Sequence, residues 1–130
     1  MKTAFSYFLQ PLRQSFDFTG RANRTQYWLF VLWEIILIIL WAVLAITLET
    51  QLKNAFGVTA AFSLPLFALA ILALIPANIA IRCRRLHDID MSGWWQLLIL
   101  VPSLGGLIML IFMLIPGTKG ENRYGLLPKQ

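Results

Sequence analysis

The 130-residue sequence has little charge and almost no cysteine. Only 13% of its residues are charged, 58% are hydrophobic, and the mean hydropathy of +0.70 exceeds that of a water-soluble domain of this length. This composition excludes a soluble globular domain, and the short length leaves no room for a separate catalytic domain. The single cysteine, Cys83, cannot form an intrachain disulfide.

Lysine and arginine are absent from three apolar stretches, residues 27–48, 60–81 and 94–115. Each stretch has 22 residues, and their one charged residue is Glu34. A helix of this length reaches about 33 Å, and the hydrocarbon core of a membrane is about 30 Å thick. Spanning segments must be helical, because lipid cannot hydrogen-bond to an exposed backbone. The sequence therefore predicts a single all-α membrane domain over residues 1–130, with three transmembrane helices.

The 11 cations flank these stretches unevenly. With three crossings and a cytoplasmic N-terminus, seven cations lie inside and four outside, which agrees with the positive-inside rule. The third stretch is interrupted by Pro102, Ser103, Gly105 and Gly106. If it returned as a re-entrant hairpin, the split would be ten against one, but its backbone would need shielding by protein. We expect a single kinked span, with the re-entrant hairpin as the alternative.

A short amphipathic helix is predicted before the first span. Its apolar side chains recur at helical spacing, which is typical of a helix lying on the membrane surface. They are Phe5, Phe8, Leu9, Leu12 and Phe16. Farther along, Asn23 and Gln26 have the spacing of a capping box, which predicts the start of the first membrane helix.

Two polar residues, Glu34 and Asn78, fall inside the predicted spans. By helical rise Glu34 lies about 10 Å below the cytoplasmic interface, where an ionised carboxylate needs a partner or a proton. The candidate partners are Asn78 and Arg82, whose long stem reaches inward. We expect Glu34 to fasten two helices. The alternative function is an oligomeric small transporter or channel subunit in which Glu34 is the gating or proton site.

The densest polar stretch, residues 82–95, follows the second span. Its arginines suit a cytoplasmic loop that meets lipid phosphates. A more specific hypothesis is that this stretch lies next to the arginines before the first span. The two segments would then form one network that binds an anionic headgroup or a membrane partner. The predicted network consists of Arg21, Arg24, Arg82, Arg84, Arg85, His87 and Asp88.

Catalysis, metal binding and nucleic-acid binding have weaker support in the sequence. His87 and Asp88 are not predicted to be catalytic, because adjacent residues on a helix do not face each other and no nucleophile stands at a motif spacing. No metal site is predicted among Cys83, His87, Asp88 and Asp90. The sequence has neither a paired cysteine motif nor a second histidine to complete such a site. The cations form no recognisable nucleic-acid module.

From these patterns we expect a protein that is not an enzyme and needs no cofactor. Its expected partners are membrane lipids with anionic headgroups, a second copy of the chain, or another membrane protein.

Three motifs, in order along the chain, resemble the bacterial DUF805 family (domain of unknown function 805). They are GRANRTQYW at residues 20–28, RRLHD with SGWW within residues 84–95, and PG with GENRYG within residues 116–125. The resemblance covers nearly the whole chain. It implies a multi-pass protein of the bacterial plasma (inner) membrane, and it implies no particular activity.

Overall fold

The computed structural model describes residues 5–57 and 63–128, and the regular structure within these ranges is helical. In chain order the helices are α1 (Ser6–Arg13), α2 (Arg24–Phe56), α3 (Ser63–Asp88), a 3-10 helix (Gly93–Leu100) and α4 (Gly105–Leu114). Residues 115–128, which we call the tail, follow α4. The predicted interfacial helix corresponds to α1. The first three residues of the second predicted span lie outside the described residues.

Helix α2 begins with the predicted capping box. The backbone N–H of Asn23 donates to Oε1 of Gln26 at 3.0 Å, and the N–H of Gln26 donates to Oδ1 of Asn23 at 2.8 Å. These two bonds satisfy backbone donors that have no partner within the first turn of a helix. The capping prediction is confirmed.

Among the described residues, two helices are long and apolar enough to cross a membrane, and these are α2 and α3. They have 33 and 26 residues. The apolar segment of α3 ends at Ile81, and residues 82–88, which carry the arginines, extend the helix by about two turns beyond it.

Residues 94–115 do not form a third long helix, so the structure differs from the expected single kinked span. The 3-10 helix and α4 instead pack against each other as a helical hairpin. Near its open end the rings of Trp95 and Phe112 meet edge to face, with centroids 6.3 Å apart. Leu98 of the 3-10 helix packs against the buried cluster that includes Met109 of α4.

The break at residues 101–104 has local causes. Pro102 has no N–H to donate, and Ser103 has a positive φ of 69°, so the helix cannot continue. A Cβ atom at Gly105 would lie 1.8 Å from the carbonyl oxygen of Leu98. The close return of the chain therefore requires glycine at this position.

The chain divides into two compact units, one of residues 1–30 with 76–130 and the other of residues 31–75. The first unit, which we call the polar unit, contains two apolar clusters. One is formed by Ala22, Phe30, Ala77 and Ile81, and the other by Leu86, Met109 and Met113. The ring of Phe8 stacks on Phe30 with centroids 5.7 Å apart, which attaches α1 to this unit.

The second unit, which we call the apolar unit, consists of the remaining parts of α2 and α3. The rings of Trp41 and Phe67 stack there with centroids 6.5 Å apart. The hydroxyl of Ser63, at the start of α3, donates to the carboxylate of Glu49 on α2. Most of the other side chains in this unit are exposed.

Candidate functional site

A buried ion-pair network in the polar unit centres on Asp88, the last residue of α3. Arg21 approaches its Oδ1 with both Nη2, at 2.9 Å, and Nε, at 3.0 Å. Arg85, one turn earlier on α3, donates to Oδ2 through Nη1. Both arginine side chains are fully buried, and that of Asp88 is 4% exposed. Because an isolated buried charge is very costly, these three groups are stable only together.

Arg21 also holds the tail. Its Nη1 donates to the carbonyl oxygens of Gly120 at 2.6 Å and Gly125 at 3.2 Å, and its Nη2 donates to that of Thr118 at 2.8 Å. The backbone N–H of Thr118 donates to the carbonyl of Asp88 at 2.8 Å. One side chain thus connects the segment before α2, the end of α3 and the tail.

Two arginines bind the carboxyl end of α4. Arg85 donates through Nη2 to the carbonyl oxygen of Ile115, and Arg24 donates through Nη1 to that of Leu114 at 3.2 Å. Carbonyls in the last turn of a helix lack intrahelical partners, so these guanidiniums satisfy them.

Two glycines allow close packing at both ends of the hairpin. A Cβ atom at Gly93 would lie 2.2 Å from Sγ of Cys83, and one at Gly117 would lie 2.1 Å from Oδ2 of Asp88. The hairpin therefore starts and finishes against the same end of α3.

His87 anchors the tail from the other side of α3. Its ring stacks on Tyr124, with centroids 3.8 Å apart and an interplanar angle of 3°. Its carbonyl oxygen accepts a hydrogen bond from the amide of Asn122 at 2.8 Å. Burial lowers the pKa of His87, while the hydrogen bond between its Nδ1 and the carbonyl oxygen of Gly20 opposes the shift. The imidazole is therefore neutral at pH 7 and donates through Nδ1.

Cys83 lies one turn before His87, with Sγ 3.6 Å from Nε2. Burial raises the pKa of the Cys83 thiol, so the pair is a neutral thiol beside a neutral imidazole at pH 7. Within residues 5–57 and 63–128, no three histidine, cysteine or acidic side chains are placed to hold a metal ion.

The remaining predicted network residues lie elsewhere. Arg84 donates to the side-chain oxygen of Gln14, and its backbone carbonyl accepts from the N–H of Ala22 at 2.9 Å. Arg82 donates to Oδ1 of Asn78 at 3.2 Å. The structure thus brings Arg21, Arg85, Asp88 and Arg24 together, while Arg84 attaches the segment after α1.

Glu34 belongs to the apolar unit, where it is half-buried in α2. Asn78, its expected partner, belongs to the polar unit. The role of Glu34 as a helix fastener stays a prediction.

A cleft of about 650 Å³ lies beside the network, which is within the range of about 300–1,000 Å³ typical of small-molecule sites. It is lined by Tyr7, Asn23, Arg24, Thr25, Asp88, Gly117, Thr118, Leu127 and Pro128. Arg24 is exposed here.

Burial lowers the pKa of Arg85, the negative charge of Asp88 raises it, and the positive charge of Arg24 lowers it further. Two guanidiniums therefore pair with the carboxylate of Asp88, and a third, that of Arg24, lines the same cleft, which leaves an excess of positive charge.

Comparison with known proteins identifies the family. The model of the family "Protein of unknown function (DUF805)" matches residues 15–126. The chain belongs to this family. It is 38% identical to inner membrane protein YhaH of Escherichia coli (strain K12), over 95% of the chain and 96% of the relative. It is 41% identical to inner membrane protein YhaI of the same strain, over 95% of each chain.

The DUF805 match contains all three motifs of the sequence and the whole Asp88 network. Both relatives are inner membrane proteins, which supports a bacterial inner membrane location for this chain. No solved structure matches it.

Proposed function

We propose that this chain is a non-enzymatic inner-membrane module that binds the headgroup of an anionic lipid at its arginine-rich surface. One observation supports the proposal above all. Arg21 and Arg85 pair with a single carboxylate, that of Asp88, while Arg24 is exposed in the cleft that Asp88 also lines, so positive charge is in excess. A phosphate group in the cleft would balance this charge, and guanidinium is well suited to bind phosphate.

Arg24 is proposed to contact the lipid phosphate directly, whereas Arg21 and Arg85 are not. Arg21 and Arg85 are buried and donate to Asp88 and to backbone carbonyls, so they contribute positive potential without touching a ligand. Among the described residues, the side chain of Arg24 donates one hydrogen bond, to the carbonyl oxygen of Leu114. A guanidinium has five N–H donors, so Arg24 can contact a phosphate directly.

We also propose that the hairpin is re-entrant and that the N-terminus is cytoplasmic. The 3-10 helix has 8 residues and α4 has 10, so each is about 15 Å long, half the thickness of the hydrocarbon core. Both ends of the hairpin contact the cationic end of α3. With the tail on the cytoplasmic side, ten of the 11 cations lie inside, as the positive-inside rule favours.

Reporter fusions at Gln130 test the topology. A green fluorescent protein fusion is expected to fluoresce, and an alkaline phosphatase fusion is expected to be inactive, because the tail would be cytoplasmic. The opposite pair of readouts would place the tail in the periplasm and would contradict the proposed topology.

Lipid retention tests the binding. The purified protein, incubated with phosphatidylglycerol and phosphatidylcholine, is expected to retain the anionic lipid in native mass spectrometry. We expect Arg24→Gln to weaken retention about tenfold or more, since a charged hydrogen bond contributes about 1.5–3 kcal/mol. Arg13→Gln makes the same charge change at an exposed position outside the cleft, and its effect should stay below about fivefold. Equal effects of the two variants would contradict a specific site.

A further inference from the structure

We infer that the cleft beside Arg24 selects a headgroup in which a phosphodiester is joined to a neutral group bearing hydroxyls, as in phosphatidylglycerol. A headgroup bearing an ammonium group, as in phosphatidylethanolamine, is disfavoured. This inference rests on the proposed function and deepens it, because it assigns the site and the chemical class of its ligand.

The charge of the cleft argues against an ammonium group. Of the described residues that line it, Asp88 is the acidic one, and both of its carboxylate oxygens accept hydrogen bonds from arginines. This single negative charge is outnumbered by the positive charges of Arg21, Arg24 and Arg85. An ammonium would therefore meet a net positive potential, whereas a phosphodiester without a second cation would be attracted.

The polar lining of the cleft suits hydroxyl groups. The phenol of Tyr7 and the hydroxyl of Thr25 can each donate and accept a hydrogen bond. The amide of Asn23 adds two N–H donors, while its oxygen is occupied by the capping box. These neutral groups lie in the same cleft as Arg24, so a phosphate bound by Arg24 would bring an attached glycerol among them.

The position of the cleft favours a lipid over a soluble phosphate ester. Tyr7 belongs to the amphipathic helix α1, and the apolar residues Leu127 and Pro128 form another part of the lining. The lining therefore combines apolar and polar surface, as expected where a headgroup continues into its acyl chains.

Three lipids that share a phosphodiester test the selectivity. They are phosphatidylglycerol, phosphatidylethanol, which has the same single negative charge without hydroxyls, and phosphatidylethanolamine. We expect the full-length protein, in native mass spectrometry with detergent release, to retain phosphatidylglycerol about threefold to tenfold more tightly than phosphatidylethanol. Phosphatidylethanolamine should bind most weakly.

Two variants locate the selectivity in the cleft. Thr25→Val and Tyr7→Phe each remove one hydroxyl and should reduce the preference for phosphatidylglycerol over phosphatidylethanol to about twofold or less, with phosphatidylethanol retention unchanged. Thr50→Val is the matched control, because Thr50 is also an exposed threonine of α2 and lies outside the cleft. The control should keep the full preference.

The outcomes separate this inference from the proposed function. Equal retention of phosphatidylglycerol and phosphatidylethanol would overturn the selectivity while anionic lipid binding stands. Retention of none of the three would overturn both. Binding of free glycerol phosphate as tightly as phosphatidylglycerol would overturn the assignment to a lipid. A preference that survives in Thr25→Val and Tyr7→Phe would place the site elsewhere.

Discussion

The polar unit and the apolar unit differ in what surrounds their side chains. Every buried side chain among the described residues belongs to the polar unit, including the charged Arg21, Arg84, Arg85 and Asp88. No described residue of the apolar unit is buried, although it consists largely of leucine, isoleucine and alanine. Two helices that leave so much apolar surface exposed would be unstable in water but are stable in lipid.

This difference shows two sources of structural order in one short chain. In the apolar unit the lipid solvates the side chains, and the helices are held by backbone hydrogen bonds. In the polar unit, paired charges and backbone carbonyls fix a specific arrangement of distant segments. Changes to buried polar groups of the polar unit should therefore have large effects, and changes in the apolar unit small ones.

The largest effect is expected for Asp88→Asn. The change leaves two buried guanidiniums without a carboxylate and should reduce the free energy of unfolding by about 3–5 kcal/mol. Thermal denaturation in detergent measures the loss, and trypsin should cut more rapidly after Lys119 and Arg123 in the released tail. As a control, Asp90→Asn breaks an exposed pair with Arg123 and should change stability by less than about 1 kcal/mol. Similar losses in both variants would contradict the importance of burial.

The next effect is expected for Gly117→Ala. The new Cβ atom would lie 2.1 Å from Oδ2 of Asp88, so the tail must shift, at a cost of about 1–3 kcal/mol. Gly106→Ala is the matched control, because no atom lies within 4 Å of its Cβ position in α4. The control should be neutral or stabilise the helix by up to about 1 kcal/mol. Equal melting temperatures for the two variants would show that the tail is not tightly held.

A smaller effect is expected for Glu34→Leu in the apolar unit. If Glu34 fastens two helices, its loss should cost about 0.6 kcal/mol, the average for a side-chain hydrogen bond inside a membrane. Glu34→Gln keeps hydrogen-bonding groups and should match the parent. Unfolding in mixed micelles measures both variants. An unchanged stability for Glu34→Leu would show that the fastening interpretation is wrong.

The smallest effect is expected for the pH dependence of stability that arises from His87. Because the pKa of His87 is lowered in the folded protein, the unfolded chain binds a proton more readily. The contribution of His87 to stability is thus fully present above its unfolded pKa of about 6.5 and is lost progressively as the pH falls below that value. The melting temperature should fall between pH 7.5 and pH 5.5, and by less in His87→Gln. An equal fall in both proteins would exclude His87 as the cause.

Local signals in the sequence predicted part of this structure. Asn23 and Gln26 predicted the start of α2, and the apolar runs predicted α2 and α3, because capping and hydrophobicity act over a few neighbouring residues. The break at Pro102 and Gly105 was visible, but the direction of the chain beyond it depends on packing against Leu98 and α3. Sequence reasoning grouped Arg21 with Arg85 and Asp88, and the structure brings them together.

The attachment of the tail could not be predicted from side chains. Arg21 binds the backbone carbonyls of Thr118, Gly120 and Gly125, and every residue has a carbonyl. The stacking of Tyr124 on His87 also joins residues far apart in sequence. The GENRYG motif was a usable signal for the tail, since it places Tyr124 and two glycines together, but it does not specify where they dock.

The reach of Arg21 across the sequence has a consequence for biogenesis. Its tail partners lie 97 to 104 residues downstream, so they leave the ribosome long after α2 has entered the translocon. Until Asp88, 67 residues downstream of Arg21, has been made, the guanidinium must stay hydrated or bind lipid phosphate. Closure of the polar unit is therefore a late, post-insertion step. A chain cut short before Thr118 would keep the pair of Arg21 with Asp88 but would lack the carbonyl oxygens of the tail that bind the rest of this guanidinium.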